Sequence, residues 1–309
     1  MRAVFFGTSP FALPSLETAR ARADVVAVVT QPDRPAGRGQ RLAPAPVKSA
    51  ALAAGLRVFE PERLRDIAEE LRSLEPDLFV VVSYGKIVPA SMLAIPKTGV
   101  ALNVHPSLLP LYRGATPLQS VLRDGRSESG VTIIAMDEGM DTGDIVLQEK
   151  TPIGPDETCG ELHDRLARTG ARLLGDALDA LASGTLERRP QAGLAPESEI
   201  AATLTHPLRK DDTVLDWHLS AGQLAARVRA FAPQPAARAT VGGSALKVLQ
   251  ARACGEPSDP ARAGEIAGIE GDAVLVYAGS GRLALERVIP PNRGAIDGAA
   301  FARSLQRVK

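Results

Sequence analysis

The sequence predicts an α/β protein with a doubly wound, mostly parallel sheet in its larger N-terminal part and a small barrel or sandwich in its C-terminal part. Two observations support this prediction. Short apolar runs alternate with helix-like stretches through the first half, and these runs are apolar at consecutive positions, as in strands buried on both faces. Beyond about residue 206, short strand-like runs follow one another between glycine-rich turns.

The elements of the N-terminal part can be placed in order. The run AVFFG over 3–7 predicts the first strand, and Ser9 precedes a helix predicted from Pro10 to Arg22. Leucine and isoleucine recur at helical spacing over 63–74, which predicts a second helix. Further strands are predicted over 25–30, 77–85, 99–104, 130–137 and 144–150, and a long amphipathic helix over 157–184.

A change in residue composition and periodicity divides the chain into two domains. Residues 190–206 lose periodicity and gain proline, glycine and polar residues, which is typical of a linker. We therefore expect one domain over 1–189 and a second over 207–309. In the second domain a helix is predicted over 219–231, and strands over 245–252, 264–270, 273–279 and 282–290.

The composition is that of an ordinary globular protein. The 309 residues are 45% hydrophobic and 23% charged, with a formal net charge of zero. Residues 1–206 carry 22 Lys and Arg against 26 Asp and Glu, whereas residues 207–309 carry 14 against 10. This basic C-terminal part is a weak indication of a polyanionic partner.

Two distant cysteines form no disulfide or zinc pattern, and no apolar run reaches the ~18 residues of a membrane span. We therefore expect a cytoplasmic protein without membrane contact.

The segment 31–48 differs from its surroundings. It contains four prolines, two glycines and four cations against the single acid Asp33, and it follows a predicted strand. Such a composition does not form a packed helix. It is consistent with a solvated surface loop, or with a basic arm that docks onto phosphate groups.

The candidate chemistry lies in ALNVHPSLLPLYRG, over 101–114. Asn103 and His105 share one side of a strand end, because side chains alternate along a strand. A lone histidine is more often structural, but an acidic, glycine-bracketed loop, DEGMDTGDI, follows over 137–145 and supplies a carboxylate. An amide can stabilise an oxyanion, an imidazole can move a proton at neutral pH, and an aspartate can orient it. With no serine or cysteine nucleophile beside them, these residues suggest acyl transfer to an amine of the substrate. The other histidines, His163, His206 and His218, have no metal-ligand spacing with His105, so we expect no metal.

These residues resemble a known family. NVHPSLLPLYRGATP is similar to the active-site signature of the enzymes that take a formyl group from 10-formyltetrahydrofolate. The resemblance implies a Rossmann-like formyltransferase fold, in which Asn103, His105 and Asp141 are catalytic. It also implies a folate site formed mainly by backbone groups at Ser107, Leu108, Leu109, Pro110, Tyr84, Gly85, Ile87 and Asp137.

Two further segments resemble one branch of this family. TQPDRPAGRG, from residue 30, is similar to the insertion loop of the branch whose acceptor is methionyl-initiator tRNA, and the segment 209–235 is similar to the start of its C-terminal OB-like barrel. The resemblance implies tRNA contacts at Arg34, Arg38, Arg41, Lys48, Arg209 and Lys210. Three residues depart from the pattern of the branch, namely Pro106, Pro207 and Gln234.

We therefore expect an enzyme, acting as a monomer, that transfers a formyl group from 10-formyltetrahydrofolate to the α-amino group of methionyl-initiator tRNA. The alternatives are a formyltransferase acting on an amino-sugar or glycinamide nucleotide, a hydrolase of formyl-folate, and a non-catalytic RNA-binding module. Neither the amino-sugar nor the glycinamide enzyme needs the basic segment, and the glycinamide enzyme would also lack the C-terminal domain. The hydrolase usually carries a further regulatory domain, and the intact Asn103, His105 and Asp141 argue against a non-catalytic module.

Overall fold

The computed structural model describes residues 1–36, 41–255 and 257–306. The chain forms two compact units. The first comprises Met1–Pro117, Glu128–Pro152 and His163–Thr205. The second comprises Leu118–Ser127, Ile153–Leu162 and the chain from His206 onward.

The first unit is built on a seven-stranded mixed sheet. Its strands are β1 (Arg2–Gly7), β2 (Asp24–Val29), β5 (Val58–Phe59), β6 (Leu78–Val82), β7 (Val100–His105), β8 (Glu128–Ala135) and β9 (Asp144–Pro152). Two further strands, β3 (Arg34–Ala36) and β4 (Arg41–Ala43), form a separate two-stranded sheet. The order is β5-β2-β1-β6-β7-β8-β9; neighbours are parallel from β5 to β7, and β8 and β9 join antiparallel. Every residue of β6 is buried, which explains its unbroken apolar run.

Helices connect these strands. The helices that follow along the chain are α1 (Leu13–Arg22), α2 (Pro46–Ala53), α3 (Ala68–Ser73), α4 (Ala90–Leu93), α5 (Pro117–Arg123), α6 (Cys159–Ser183) and α7 (Glu197–Ala202). Short 3-10 turns, Pro10–Ala12 and Leu64–Ile67, precede α1 and α3. None of the helices in the described ranges is both long and apolar enough to cross a membrane.

Two segments contain more regular structure than their composition indicates. Within the basic segment 31–48, β3 pairs with β4 in an antiparallel register, and Pro46 begins helix α2. Residues 190–206, expected as a linker, include α7 and three buried polar side chains, Gln191, Thr203 and Thr205.

The second unit is antiparallel. Its further elements are α8 (Ala221–Phe231), β10 (Ala237–Val241), β11 (Ser244–Cys254), β12 (Ile266–Glu270), β13 (Ala273–Tyr277), β14 (Arg282–Ile289), β15 (Ile296–Asp297) and α9 (Gly298–Gln306). The sheet order is β10-β11-β14-β13-β12, with β15 beside β14. Leu224, Val228 and Phe231 of α8 pack on the inner face of this sheet together with Phe301 of α9. The predicted fold class, a mostly parallel α/β sheet followed by a smaller β domain, is confirmed.

Candidate active site

The structure brings Asn103, His105 and Asp141 together. Asn103 and His105 lie two residues apart on β7, so their side chains leave the strand on the same face. Asp141 comes from the loop between β8 and β9. The Asn103 Nδ2 atom lies 3.4 Å from Asp141 Oδ1, and the His105 Nδ1 atom lies 3.6 Å from Asp141 Oδ2. One carboxylate therefore faces both an amide donor and an imidazole.

A backbone carbonyl holds one edge of the His105 ring. The side chain is buried, and its Nε2 atom lies 3.0 Å from the carbonyl oxygen of Tyr112. A carbonyl oxygen can only accept, so Nε2 must carry a proton. The other ring nitrogen faces a carboxylate, which also accepts when ionised. The distance at Nδ1 is longer than that at Nε2, so the Nδ1 edge is the less tightly held of the two and can contact a substrate oxygen.

The loop containing Asp141 is held in an unusual backbone conformation. Asp141 has φ of 57°, in the left-handed region that costs a non-glycine residue about 1–3 kcal/mol. Its Oδ2 atom accepts a 2.8 Å hydrogen bond from the backbone N–H of Gly114. Gly114 has φ of 105°, and a Cβ atom there would collide with the carbonyl oxygen of Thr205. Only glycine fits this position, so the N–H that fixes the carboxylate depends on it.

The residues predicted at the folate site divide into buried and accessible groups. The Ser107 hydroxyl donates to the Leu111 carbonyl at 2.7 Å, and Leu109 packs in a small core with Ile134 and Ile145. Pro110, which follows a cis peptide bond, is also buried, whereas Leu108 is half-buried.

The segment after β6 supplies the other predicted folate residues. The Tyr84 ring is buried edge-on against Phe6, with centroids 5.6 Å apart, and burial raises the pKa of its phenol to about 12. Its carbonyl oxygen accepts hydrogen bonds from Thr8 Oγ1 at 2.9 Å and Gln31 Nε2 at 2.8 Å. Gly85 is exposed, and Ile87 is 86% exposed. Tyr84 therefore has a structural side chain, whereas Gly85 and Ile87 are accessible to a ligand.

Asp137 is exposed and organises its own loop. Its Oδ1 atom accepts hydrogen bonds from the Gly139 N–H at 3.0 Å and the Thr142 hydroxyl at 2.7 Å. Both donors lie in the loop that carries Asp141, so Asp137 shapes that loop while its carboxylate stays open to solvent.

The residues predicted to contact tRNA lie in three places. Arg34 and Arg41 belong to β3 and β4, and Arg38 lies outside the described residues. Arg209 and Lys210 are exposed at the start of the second unit. Lys48 differs from the others, because its Nζ atom lies 2.8 Å from Asp33 and 2.9 Å from Glu60 with only 17% of the side chain exposed. The hydrogen bonds to these two carboxylates raise the Lys48 pKa, so its cation is already compensated within the fold.

Sequence reasoning missed three polar residues that contact the catalytic loops. Gln191, Thr203 and Thr205 are each at most 7% exposed, and all three lie in the segment expected as a linker. A glutamine and two threonines among prolines and glycines give no local signal, because their partners are 48 to 92 residues away. Among the residues that the structure describes, no three His, Cys, Asp or Glu side chains are grouped to hold a metal ion.

Comparison with known proteins identifies the family. A model of the formyl transferase family matches residues 1–178, and a model of the formyl transferase C-terminal domain matches residues 207–306. A methionyl-tRNA formyltransferase from Acidithiobacillus ferrooxidans is 45% identical over 98% of this chain and 95% of its own length. One from Xylella fastidiosa is 49% identical over 82% of this chain and 81% of its own. This chain belongs to the methionyl-tRNA formyltransferase family.

Solved structures share the fold of this methionyl-tRNA formyltransferase family member at lower identity. HypX from Aquifex aeolicus, in complex with tetrahydrofolic acid, has a TM-score of 0.62 and 16% identity; the match covers 99% of this chain and 48% of HypX. An N-formyltransferase from Helicobacter canadensis, in complex with folinic acid and dTDP-3-aminofucose, has a TM-score of 0.63 and 19% identity over 94% of this chain and 98% of its own. These likenesses support the fold.

Proposed function

We propose that this protein transfers the formyl group of 10-formyltetrahydrofolate to the α-amino group of methionine esterified to initiator tRNA. The observation that supports it most directly is the convergence of Asn103, His105 and Asp141 in a member of the methionyl-tRNA formyltransferase family. The groups present match the needs of formyl transfer to an amine, since none has to act as a covalent nucleophile.

The amine must attack as its free base. An α-amino group has a pKa of ~7.7–8.0, so a substantial fraction is protonated at neutral pH. The amine nitrogen forms a bond to the formyl carbon and gives up one proton. The bond from that carbon to the donor nitrogen breaks, and the donor nitrogen gains one proton. Negative charge develops on the formyl oxygen between these events.

The site's donors suit that charge. The Asn103 amide and the Nδ1–H of protonated His105 both point toward the region beside Asp141, where they can donate to the developing oxyanion. Asp141 places its carboxylate beside the imidazole and orients the ring. The backbone N–H of Gly114 and the carbonyl of Tyr112 hold Asp141 and His105 in position before substrate arrives.

The folate is proposed to lie beside Gly85 and Ile87 and along the loop that contains Asp137. Ile87 offers a large apolar side chain that is 86% exposed, and Gly85 is exposed beside it. The Ser107, Leu108, Leu109, Pro110 and Tyr84 positions would contribute backbone groups, because most of their side chains are buried.

The tRNA is proposed to contact Arg34, Arg38 and Arg41 in the insertion loop, and Arg209 and Lys210 in the second unit. Two further cations, Arg238 and Lys247, support the proposed tRNA contact in the second unit. Arg238 on β10 lies directly opposite Lys247 on β11, and the Arg238 guanidinium donates to the Lys210 carbonyl at 3.2 Å. Like charges opposite one another destabilise a sheet unless an anion binds them. These residues, Lys210, Arg238 and Lys247, form a basic strip suited to phosphodiester groups.

We further propose a catalytic domain over 1–189, a connecting segment over 190–206 and a tRNA-binding OB-like domain over 207–309, acting as a cytoplasmic monomer. The two family models, which end at 178 and begin at 207, support this division. Size-exclusion chromatography with light scattering tests the monomer, and a dimer peak would contradict it.

The decisive experiment measures formyl transfer to methionyl-initiator tRNA, with methionyl-elongator tRNA and free methionine as controls. We expect formylmethionyl-tRNA only with the initiator. Folate turnover without tRNA product, or formylation of a nucleotide-linked amino sugar instead, would contradict the proposed acceptor.

A further inference from the structure

The segment 191–205 contacts the backbone of both catalytic loops. Its position is fixed at its start by Arg189, whose N–H and carbonyl exchange two 2.8 Å hydrogen bonds with Ile145 on β9. Two residues later, Gln191 is 4% exposed and lies against the loop that carries Asp141.

The amide of Gln191 uses all of its hydrogen-bonding capacity. Its nitrogen donates to the carbonyl oxygens of Asp141 at 2.8 Å and Gly143 at 2.7 Å. Its oxygen accepts from Arg113 Nε at 3.2 Å and Nη2 at 2.7 Å. An amide has two donor hydrogens and two acceptor positions, so none is left over. Because Arg113 can only donate, it fixes which way the amide points and directs the NH₂ group at the Asp141 loop.

This contact stabilises a backbone that is strained by itself. Asp141 has φ of 57°, a conformation that persists only where the surroundings determine it. The two donors of Gln191 bind on either side of residue 142 and hold the loop in that conformation.

The other end of the segment holds the loop that binds His105. The Thr203 hydroxyl accepts the Tyr112 N–H at 3.3 Å, and the Tyr112 carbonyl accepts the Nε2 proton of His105. The Thr205 N–H and hydroxyl both donate to the Arg113 carbonyl, and its hydroxyl accepts the Thr116 N–H at 3.0 Å. Between Arg113 and Thr116 lies Gly114, whose N–H binds the Asp141 carboxylate.

We propose that Gln191, assisted by Thr203 and Thr205, is a positioning residue for formyl transfer: it sets the backbone geometry of Asp141, as the threonines set that of the loop contacting His105. Gln191 contacts no reacting atom and acts through Asp141. The inference rests on the proposed function, and it assigns to the 191–205 segment a part in catalysis.

The test compares kcat and KM for initiator methionyl-tRNA in Gln191→Met, Gln191→Glu and wild type. Gln191→Met keeps the length of the side chain and removes the amide. Gln191→Glu keeps both contacts to Arg113 and removes both donors to the Asp141 loop. We expect kcat to fall about tenfold to a hundredfold in both variants, with each KM within about threefold, because misplaced catalytic groups slow the chemical step more than binding.

A second comparison separates positioning from general loss of structure. In the Asp141→Ala background, Gln191→Met should change the residual kcat by less than about twofold. The reason is that substitutions of two residues that act as one unit do not have additive effects. Gln223→Met is the matched control, because Gln223 donates to no catalytic loop and caps helix α8 in the second unit. It should leave kcat unchanged.

Each outcome decides. A wild-type kcat in folded Gln191→Met would overturn the inference. So would a kcat that Gln191→Met lowers by the same factor in the wild-type and Asp141→Ala backgrounds. If Gln191→Met does not fold, Thr203→Val decides in its place: a severalfold loss of kcat that Thr203→Ser restores supports positioning, and an unchanged kcat overturns it. Absence of transfer in the wild type would instead contradict the proposed function.

Discussion

The catalytic loops and the outer face of the C-terminal sheet use polar residues in opposite ways. Around Asp141 the polar groups are few and largely buried, and each has a fixed partner. On the C-terminal sheet the charges are numerous and about half exposed, as in the pairs Arg252–Glu270 and Arg287–Asp297. Removing a buried partner leaves another group unsatisfied, whereas water replaces an exposed one. Equal substitutions should therefore have very unequal effects in the two regions.

The largest effect is expected at His105 and Asp141. His105→Ala should lower kcat by about a hundredfold to a thousandfold, since removing one oxyanion donor costs about 2.7–4 kcal/mol. Asp141→Asn should also lower kcat severely, because it removes the carboxylate that orients His105. Steady-state formyl transfer measures the change, and circular dichroism checks that the fold persists. Wild-type turnover in either variant would contradict the assignment of the catalytic residues.

Gly114→Ala should have the next largest effect. The substitution meets both a positive φ and the carbonyl oxygen of Thr205, so we expect the free energy of unfolding to fall by about 2 kcal/mol or more. Gly55→Ala is the matched control, because Gly55 has φ of 71° but open space around its Cβ position. Urea denaturation of both variants isolates the collision, and equal losses would show that it contributes nothing.

A smaller effect is expected from the basic strip. Arg238→Ala and Lys247→Ala should each weaken tRNA binding severalfold and reduce the salt dependence of binding by about one unit of slope, as for the loss of one phosphate contact. Arg252→Ala is the control. Arg252 lies on β11, as Lys247 does, but Glu270 and Glu286 already compensate its charge. Filter binding at several salt concentrations gives the slopes. An equal change in all three variants would refute the distinction between these two parts of the sheet.

The smallest effect is expected at the exposed ion pair Arg287–Asp297, which joins β14 to β15 at 2.9 Å. A double-mutant cycle with Arg287→Ala and Asp297→Ala should give a coupling energy below about 1 kcal/mol. Thermal denaturation provides the four stabilities. A coupling of several kcal/mol would mean that charges on this sheet are held as firmly as those near Asp141.

Sequence patterns predicted those features that depend on neighbouring residues. The unbroken apolar run of β6 and the alternation that places Asn103 and His105 on one face are local, and both were recognised. Strand β10 was missed because Ala237–Val241 is alanine-rich, although the following Gly242 and Gly243, with φ of 56° and 77°, form the kind of pair that favours a hairpin.

Other features depend on contacts between distant parts of the chain. Gln191 meets Gly143 across 48 residues and Thr203 meets Tyr112 across 91, and no spacing rule connects them. Lys48 illustrates the reverse case, since its place in a basic segment indicates a free cation. Folding instead brings it against Asp33 and Glu60.

The burial of Gln191, Thr203 and Thr205 has a consequence for recombining this enzyme with its relatives. The segment after residue 189 resembles a tether in the sequence, and a chimera joined there would exchange the partners of Arg113 and of the Tyr112 backbone along with the C-terminal domain. Because Thr205 is the last residue of the first unit, a crossover placed after it transfers the chain from His206 onward and leaves those contacts native.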